Sequence, residues 1–323
     1  MKAMLGLVLA MATAGCGAAV AQSSDVVVQI EGATTAKPTE MTEVVLHEPD
    51  ETALVGDIRI DGDEISSSSK LVFYADSQAR SVNLETFDRT LKQTEILEKR
   101  GSRVVRWKVE YRTAASLVTV NGQGEPDKNM PALRKPYIVD LRGPVARVTD
   151  ENGRNVSKDE YDAVVRLEIF TKKKKPITQR PRQGQTETSL PQPVEHKVRT
   201  GDEVPWLAEY LERELSIETT EATLEAKVRR TKLVAIYEID GDICAVVYVA
   251  MQLTRDEAKR AHTETSLEGQ VVMRAVDGAL IGMTVSGPQR TKGAMKTEQG
   301  ILQYGGRGTI KLRMRRRWEV RGG

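Results

Sequence analysis

The sequence predicts a β-rich α+β fold: a curved antiparallel sheet or open half-barrel with a few packed helices. Three observations predict it. Apolar and polar residues alternate with period two over several long stretches, the mark of a half-buried strand. Aspartate–glycine pairs sit between such stretches, where hairpins turn. Helical spacing is confined to two short segments, near 157–170 and 202–215.

Along the chain, residues 22–50 are polar and irregular and read as a lead-in, with one short strand at Val26–Ile30. Residues 51–170 read as an N-terminal β-rich domain. "RVVRWKVEYRT" puts Val105, Trp107, Val109 and Tyr111 on one face and Arg106, Lys108, Glu110 and Arg112 on the other, as successive strand residues must. "PYIVDLRG" continues in that style and "DENG", 150–153, turns the chain. Ser157 followed by Glu160 is a capping-box pattern and predicts a short helix. Residues 171–193 hold four consecutive lysines and four prolines, the composition of a linker between two halves of the protein.

The second half, 194–323, reads as a helix followed by an antiparallel meander. Val204, Leu207, Ala208, Leu211 and Leu215 form a helical apolar stripe, with Asp202 as the expected cap, Pro205 in the first turn and Trp206 paired with Tyr210. "IDGD" predicts a hairpin between two apolar strands. In the second of these, Ile243 to Leu253 alternate with Cys244, Val246, Tyr248 and Ala250, so both faces need cover. A helix on one sheet face leaves the other either packed or open as an apolar trough. Val247, Val249, Met251 and Met273 are the expected liners of such a trough. The last strand, "TIKLRMRRRWEV", sets Ile310, Leu312, Met314, Trp318 and Val320 inward and Lys311, Arg313, Arg315 and Arg317 outward. That cationic face is the expected contact for an anionic surface.

Charge is otherwise balanced, with 48 Lys and Arg against 46 Asp and Glu and only 4% aromatic residues. This argues against nucleic-acid binding. His47, His196 and His262 are far apart with no metal-ligand spacing, and nucleophile-elbow and phosphate-loop motifs are absent. No catalytic residue, metal site or cofactor is expected.

At the N-terminus, Lys2 precedes an uncharged apolar run over 3–14, and "AVA" at 19–21 is a small-x-small cleavage signal before Gln22. This is the layout of a secretory signal peptide, 1–21, too short to span a membrane. A second cut, before Cys16 in "TAGC", would leave a lipid on that cysteine. Either places the protein outside the cytoplasm, in the periplasm or tethered to the outer membrane. Cys244 reads as a buried apolar residue.

Two resemblances follow from motifs. "HKVRTGDEVPWLAEYL", 196–211, resembles the opening of a LysM module, a peptidoglycan-binding βααβ fold. The following 216–234 lacks that family's asparagine-containing turn and closing strand. The layout of "V-x-x-GD" at Val198–Asp202 before hairpins, and of paired strands around Asp277-Gly278, resembles uncharacterised secreted bacterial proteins with a curved antiparallel sheet. These are loosely similar to periplasmic lipoprotein-carrier folds. That resemblance implies an exported, non-enzymatic envelope protein that binds a lipid, another apolar ligand or a lipidated partner. The alternative is a structural or interaction protein with a packed core, meeting an envelope protein or anionic surface, or a peptidoglycan-associated module.

Overall fold

The fold comes from a computed structural model. It describes residues 36–48, 55–75, 78–100, 103–127, 130–143, 145–168, 194–218, 222–257, 260–297 and 300–319. The leader with Cys16, the strand expected at Val26–Ile30 and the 171–193 linker lie outside the described residues.

The strands are β1 (Ala36–Pro38), β2 (Glu43–His47), β3 (Ile58–Ala75), β4 (Gln78–Arg100), β5 (Arg103–Val120), β6 (Gln123–Pro126), β7 (Pro136–Asp140), β8 (Arg147–Asp150), β9 (Glu195–Arg199), β10 (Ile217–Glu218), β11 (Ala222–Ile239), β12 (Asp242–Glu257), β13 (Ala261–Arg274), β14 (Leu280–Thr297) and β15 (Gly300–Glu319). Two 11-residue helices, α1 (Lys158–Glu168) and α2 (Pro205–Leu215), complete the described elements. One antiparallel sheet of 13 strands dominates, in the order β1-β11-β12-β13-β14-β15-β3-β4-β5-β7-β8, with β10 beside β11 and β6 beside β5. It does not close into a barrel. The protein is thus β-rich as expected, with less helix than an α+β fold implies.

Strand length sets the scale. At about 3.3 Å per residue, β4 alone runs roughly 75 Å. The central join is β15 with β3, paired from Gln303↔Tyr74 to Glu319↔Ile58. The strands before and after 171–193, expected to form two halves, therefore share one sheet. The strand read as a terminal element sits in its middle.

Both helices lie on one face of this sheet. Directly opposed residues share a face, as do residues two apart on one strand, so the registers place Val247, Val271, Met283, Met314, Asp63, Asp61, Lys92 and Tyr111 on that same side. Over β11–β15 this face packs against Val204, Leu207, Tyr210 and Leu211 of the α2 segment and Val44, Leu46 and Val198 of the two-stranded β2–β9 sheet. The helical stripe is as expected, but the cap is not. Asp202 Oδ2 accepts from the Arg199 N–H at 2.9 Å, tightening the turn after β9, and Val204 at the N-cap offers no side-chain acceptor. Trp206 stacks on His196, ring centroids 5.2 Å apart.

The α1 helix starts with the expected capping box: the Glu160 N–H donates to Ser157 Oγ at 3.3 Å, and the Ser157 N–H to Glu160 Oε2 at 3.2 Å. It ends on Glu168, 1% exposed, against the sheet. Glu168 accepts from Lys92 Nζ at 2.6 Å, Tyr111 O–H at 2.9 Å and Trp107 Nε1–H at 3.1 Å. Burial and the Glu168 charge push the Tyr111 phenol far above its ordinary range. Directly opposite Lys92, Asp61 accepts from Arg59 at 2.6 Å and Arg316 at 3.2 Å.

Exposed sheet edges invite pairing with other chains, and here β11 is capped along its length. The Gly201 N–H donates to the Leu233 carbonyl, the Leu233 N–H to that of Asp202, and the Val204 N–H to that of Thr231. Side chains of the α2 segment take two more strand N–H groups: Ser216 Oγ accepts from Ala226 at 3.0 Å and Glu212 Oε1 from Val228 at 2.7 Å. The opposite edge is the four-residue β8.

Candidate functional site

The sequence-expected apolar liners do not face open space. Val247, Val249 and Met273 are 0% exposed and Met251 2%. All four lie in the core cluster beneath α2 and the β2–β9 sheet. Period-two alternation correctly groups them on one face, but the chain's own helix occupies that face. This corrects the trough expectation at those positions. Cys244 and Val246, on the other side of β12, sit in a second small cluster with Ile239 and Val272. Burial pushes the Cys244 thiol up to about 12.

The LysM-like segment forms β9 and α2 and then passes through β10 into the 18-residue β11. A βααβ order is not followed there. His262 is bracketed by Asp256 at 2.6 Å and Glu264 at 3.2 Å, which raise its pKa. His196 meets Glu48 at 3.0 Å. Among the described residues no group of three or more His, Cys, Asp or Glu is placed to hold a metal ion, and no helix is long and apolar enough to cross a membrane.

The sheet face opposite the helices is different in character, and here the cationic residues of β15 gather. Odd-numbered residues of β15 point to this open face while Ile310, Leu312 and Met314 pack toward the core. Lys311, Arg313, Arg315 and Arg317 therefore form a row along the strand, as the alternation predicts. The Trp318 side chain and Val320 lie outside what the structure describes. Arg313 is held by Glu64 at 3.4 Å.

Three cross-strand rungs on this face build a groove of about 930 Å³. The first runs Ser286, Lys311, Ser66, Phe87, Leu117, and the second Pro288, Thr309, Ser68, Glu85, Thr119. The third joins Arg290 to Arg307 and Arg307 to Lys70. Short serine and threonine side chains on β15 and β3 make the floor, which is why a hollow exists there. Phe87 and Leu117 form one wall, and Arg290, Arg307 and Lys311 supply positive charge at the other.

The Arg290–Arg307–Lys70 rung has no local sequence signal, because it depends on the register of β14 against β15: "PQRTKG" and "GGRGTI" bring their arginines together when Pro288 faces Thr309.

No family model matches the sequence, and no curated protein matches it. Among solved structures, the translocator domain of the autotransporter NalP from Neisseria meningitidis is similar over 80% of this chain and 89% of its own, at 8% identity and a TM-score of 0.15. A likeness that weak identifies neither fold nor role.

Proposed function

We propose that the protein is an exported, non-enzymatic envelope protein that lays the open face of its sheet against an anionic lipid surface. One observation carries this reading: Lys311, Arg313, Arg315 and Arg317 occupy alternate positions of a central strand, on the face that carries neither of the described helices. Each basic residue near an anionic membrane contributes about 1 kcal/mol of attraction. Arg313 is paired with Glu64, so the row supplies less than the sum over four residues, which suits reversible, salt-sensitive binding. The leader, with its cut after Ala21 or its lipid on Cys16, delivers the chain to the compartment where such surfaces lie. A lipid fits this face better than a purely polar polyanion, because Phe87, Leu117 and Pro288 flank the cations.

The test is flotation with vesicles. The protein should float with phosphatidylglycerol-containing vesicles at low salt and not with phosphatidylcholine alone. Replacing Lys311, Arg313, Arg315 and Arg317 by Gln should weaken binding by at least about tenfold. Equal binding to both vesicle types would overturn the reading.

A further inference from the structure

Arg290, Arg307 and Lys70 stand side by side across β14, β15 and β3. Like charges directly opposed on a sheet destabilise it, and none of the three has an ion-pair partner among the described residues. Arg290 and Arg307 are exposed. Beyond Arg290 the next strand offers Glu264, which is turned to His262 at 3.2 Å. Beyond Lys70 lies Asn83, whose N–H donates to Asn121 Oδ1 at 2.9 Å. Glu85, opposite Ser68 in the middle rung, is the one acid among the described residues that line the groove. The rung thus concentrates positive charge at one end of a hollow that holds about 930 Å³. Two rungs away, Phe87 and Leu117 are directly opposed and form an apolar wall. Successive same-face rungs are about 6.6 Å apart along the strands, so charge and wall are offset by roughly 13 Å along the strands and also lie on different strands across the sheet, β14 and β15 against β4 and β5.

We infer that this groove binds a single anionic amphiphile, a phosphate-bearing lipid. Its headgroup sits on Arg290 and Arg307, its polar linker crosses the serine floor, and its acyl part ends on Phe87 and Leu117. The inference rests on the open-face reading above and deepens it from a surface to a site. The hydroxyls of Ser66, Ser68 and Thr309 offer donors and acceptors to a glycerol or sugar linker between the two ends. Arginine suits the headgroup because its guanidinium presents a planar fork to phosphate oxygens.

The experiment titrates the protein with lauroyl lysophosphatidylglycerol below its micelle concentration, by isothermal calorimetry. Lauroyl lysophosphatidylcholine and glycerol 3-phosphate are the controls. The expected result is saturable binding of the anionic lysolipid, about tenfold or more weaker in R290Q/R307Q although that variant melts no lower than the wild type, and weaker again in F87S/L117S, which should still unfold cooperatively. Glycerol 3-phosphate binding as tightly would show a simple anion site and overturn the amphiphile. Equal binding of both lysolipids, or no effect of R290Q/R307Q, would overturn the headgroup assignment. Vesicle flotation that persists while lysolipid binding is absent would sink the groove and leave the open-face reading standing. Loss of both would sink both.

Discussion

Lys92 of the sheet and Glu168 at the end of α1 form a buried ion pair, Nζ to Oε1 2.6 Å, and Tyr111 and Trp107 also donate to the carboxylate. Removing one member of such a pair strands the other charge. Glu168→Ala is therefore expected to cost about 3–5 kcal/mol in urea unfolding. K92M/E168L, which removes both charges, should cost clearly less than the sum of the single changes. Additive losses would show that the pair does not act as a unit.

The capping box of α1 makes stability depend on acid. Lys135, hydrogen-bonded to Glu160, together with the Ser157 N–H and hydroxyl, holds the Glu160 carboxyl down at about 2. Its folded value lies below the ordinary 4.5, so its stabilisation is fully present above about 4.5 and fades as pH falls toward 2. The wild type should exceed Glu160→Gln by about 1 kcal/mol at pH 7. That margin should shrink over the window from 4.5 to 2 and vanish at its foot. A constant margin would contradict the assignment.

Cys244 is fully buried and its thiol is pushed up to about 12. A thiolate is the reactive form, so at pH 8 a disulfide reagent should label Cys244 only after denaturant is added. Rapid labelling of native protein would show that the cluster around it opens.

Gly293 lets Tyr304 cross the sheet: a Cβ there would lie 2.3 Å from the tyrosine Oη and 2.4 Å from the Arg260 carbonyl oxygen. The backbone oxygen cannot move aside cheaply. Gly293→Ala should lower the melting temperature, and pairing it with Tyr304→Leu should restore only part of the loss, since the Arg260 clash remains. An unchanged melting temperature in Gly293→Ala would show that the rungs relax there.

Much of this architecture is legible locally. The faces of β5 and β15 follow from alternation, and the Asp240-Gly241 turn adopts the two positive φ angles, 51° and 92°, that its residues predict. Asn121-Gly122, equally strong as a hairpin signal with φ of 52° and 80°, links β5 to β6 and is passed over by a reading based on period alone. β3 is not legible, because "ISSSSK" has no apolar alternation. Its serines are strand residues through pairing with β15 and β4 on either side. The β15–β3 join links residues more than two thirds of the chain apart and leaves no mark in local sequence. Alternation also says which residues share a face without saying which face a helix covers. That is why Val247 and Met251 proved to be core, while the groove lies on the other side.

The central claim is that the face opposite the helices meets the anionic surface. An environment-sensitive fluorophore placed at Ser68→Cys reads that face, and one at Glu209→Cys reads the exposed side of α2 on the other. On adding phosphatidylglycerol vesicles, the label at 68 should shift to the blue and become shielded from an aqueous quencher, while the label at 209 stays unchanged. A shift at 209 with none at 68 would contradict the account.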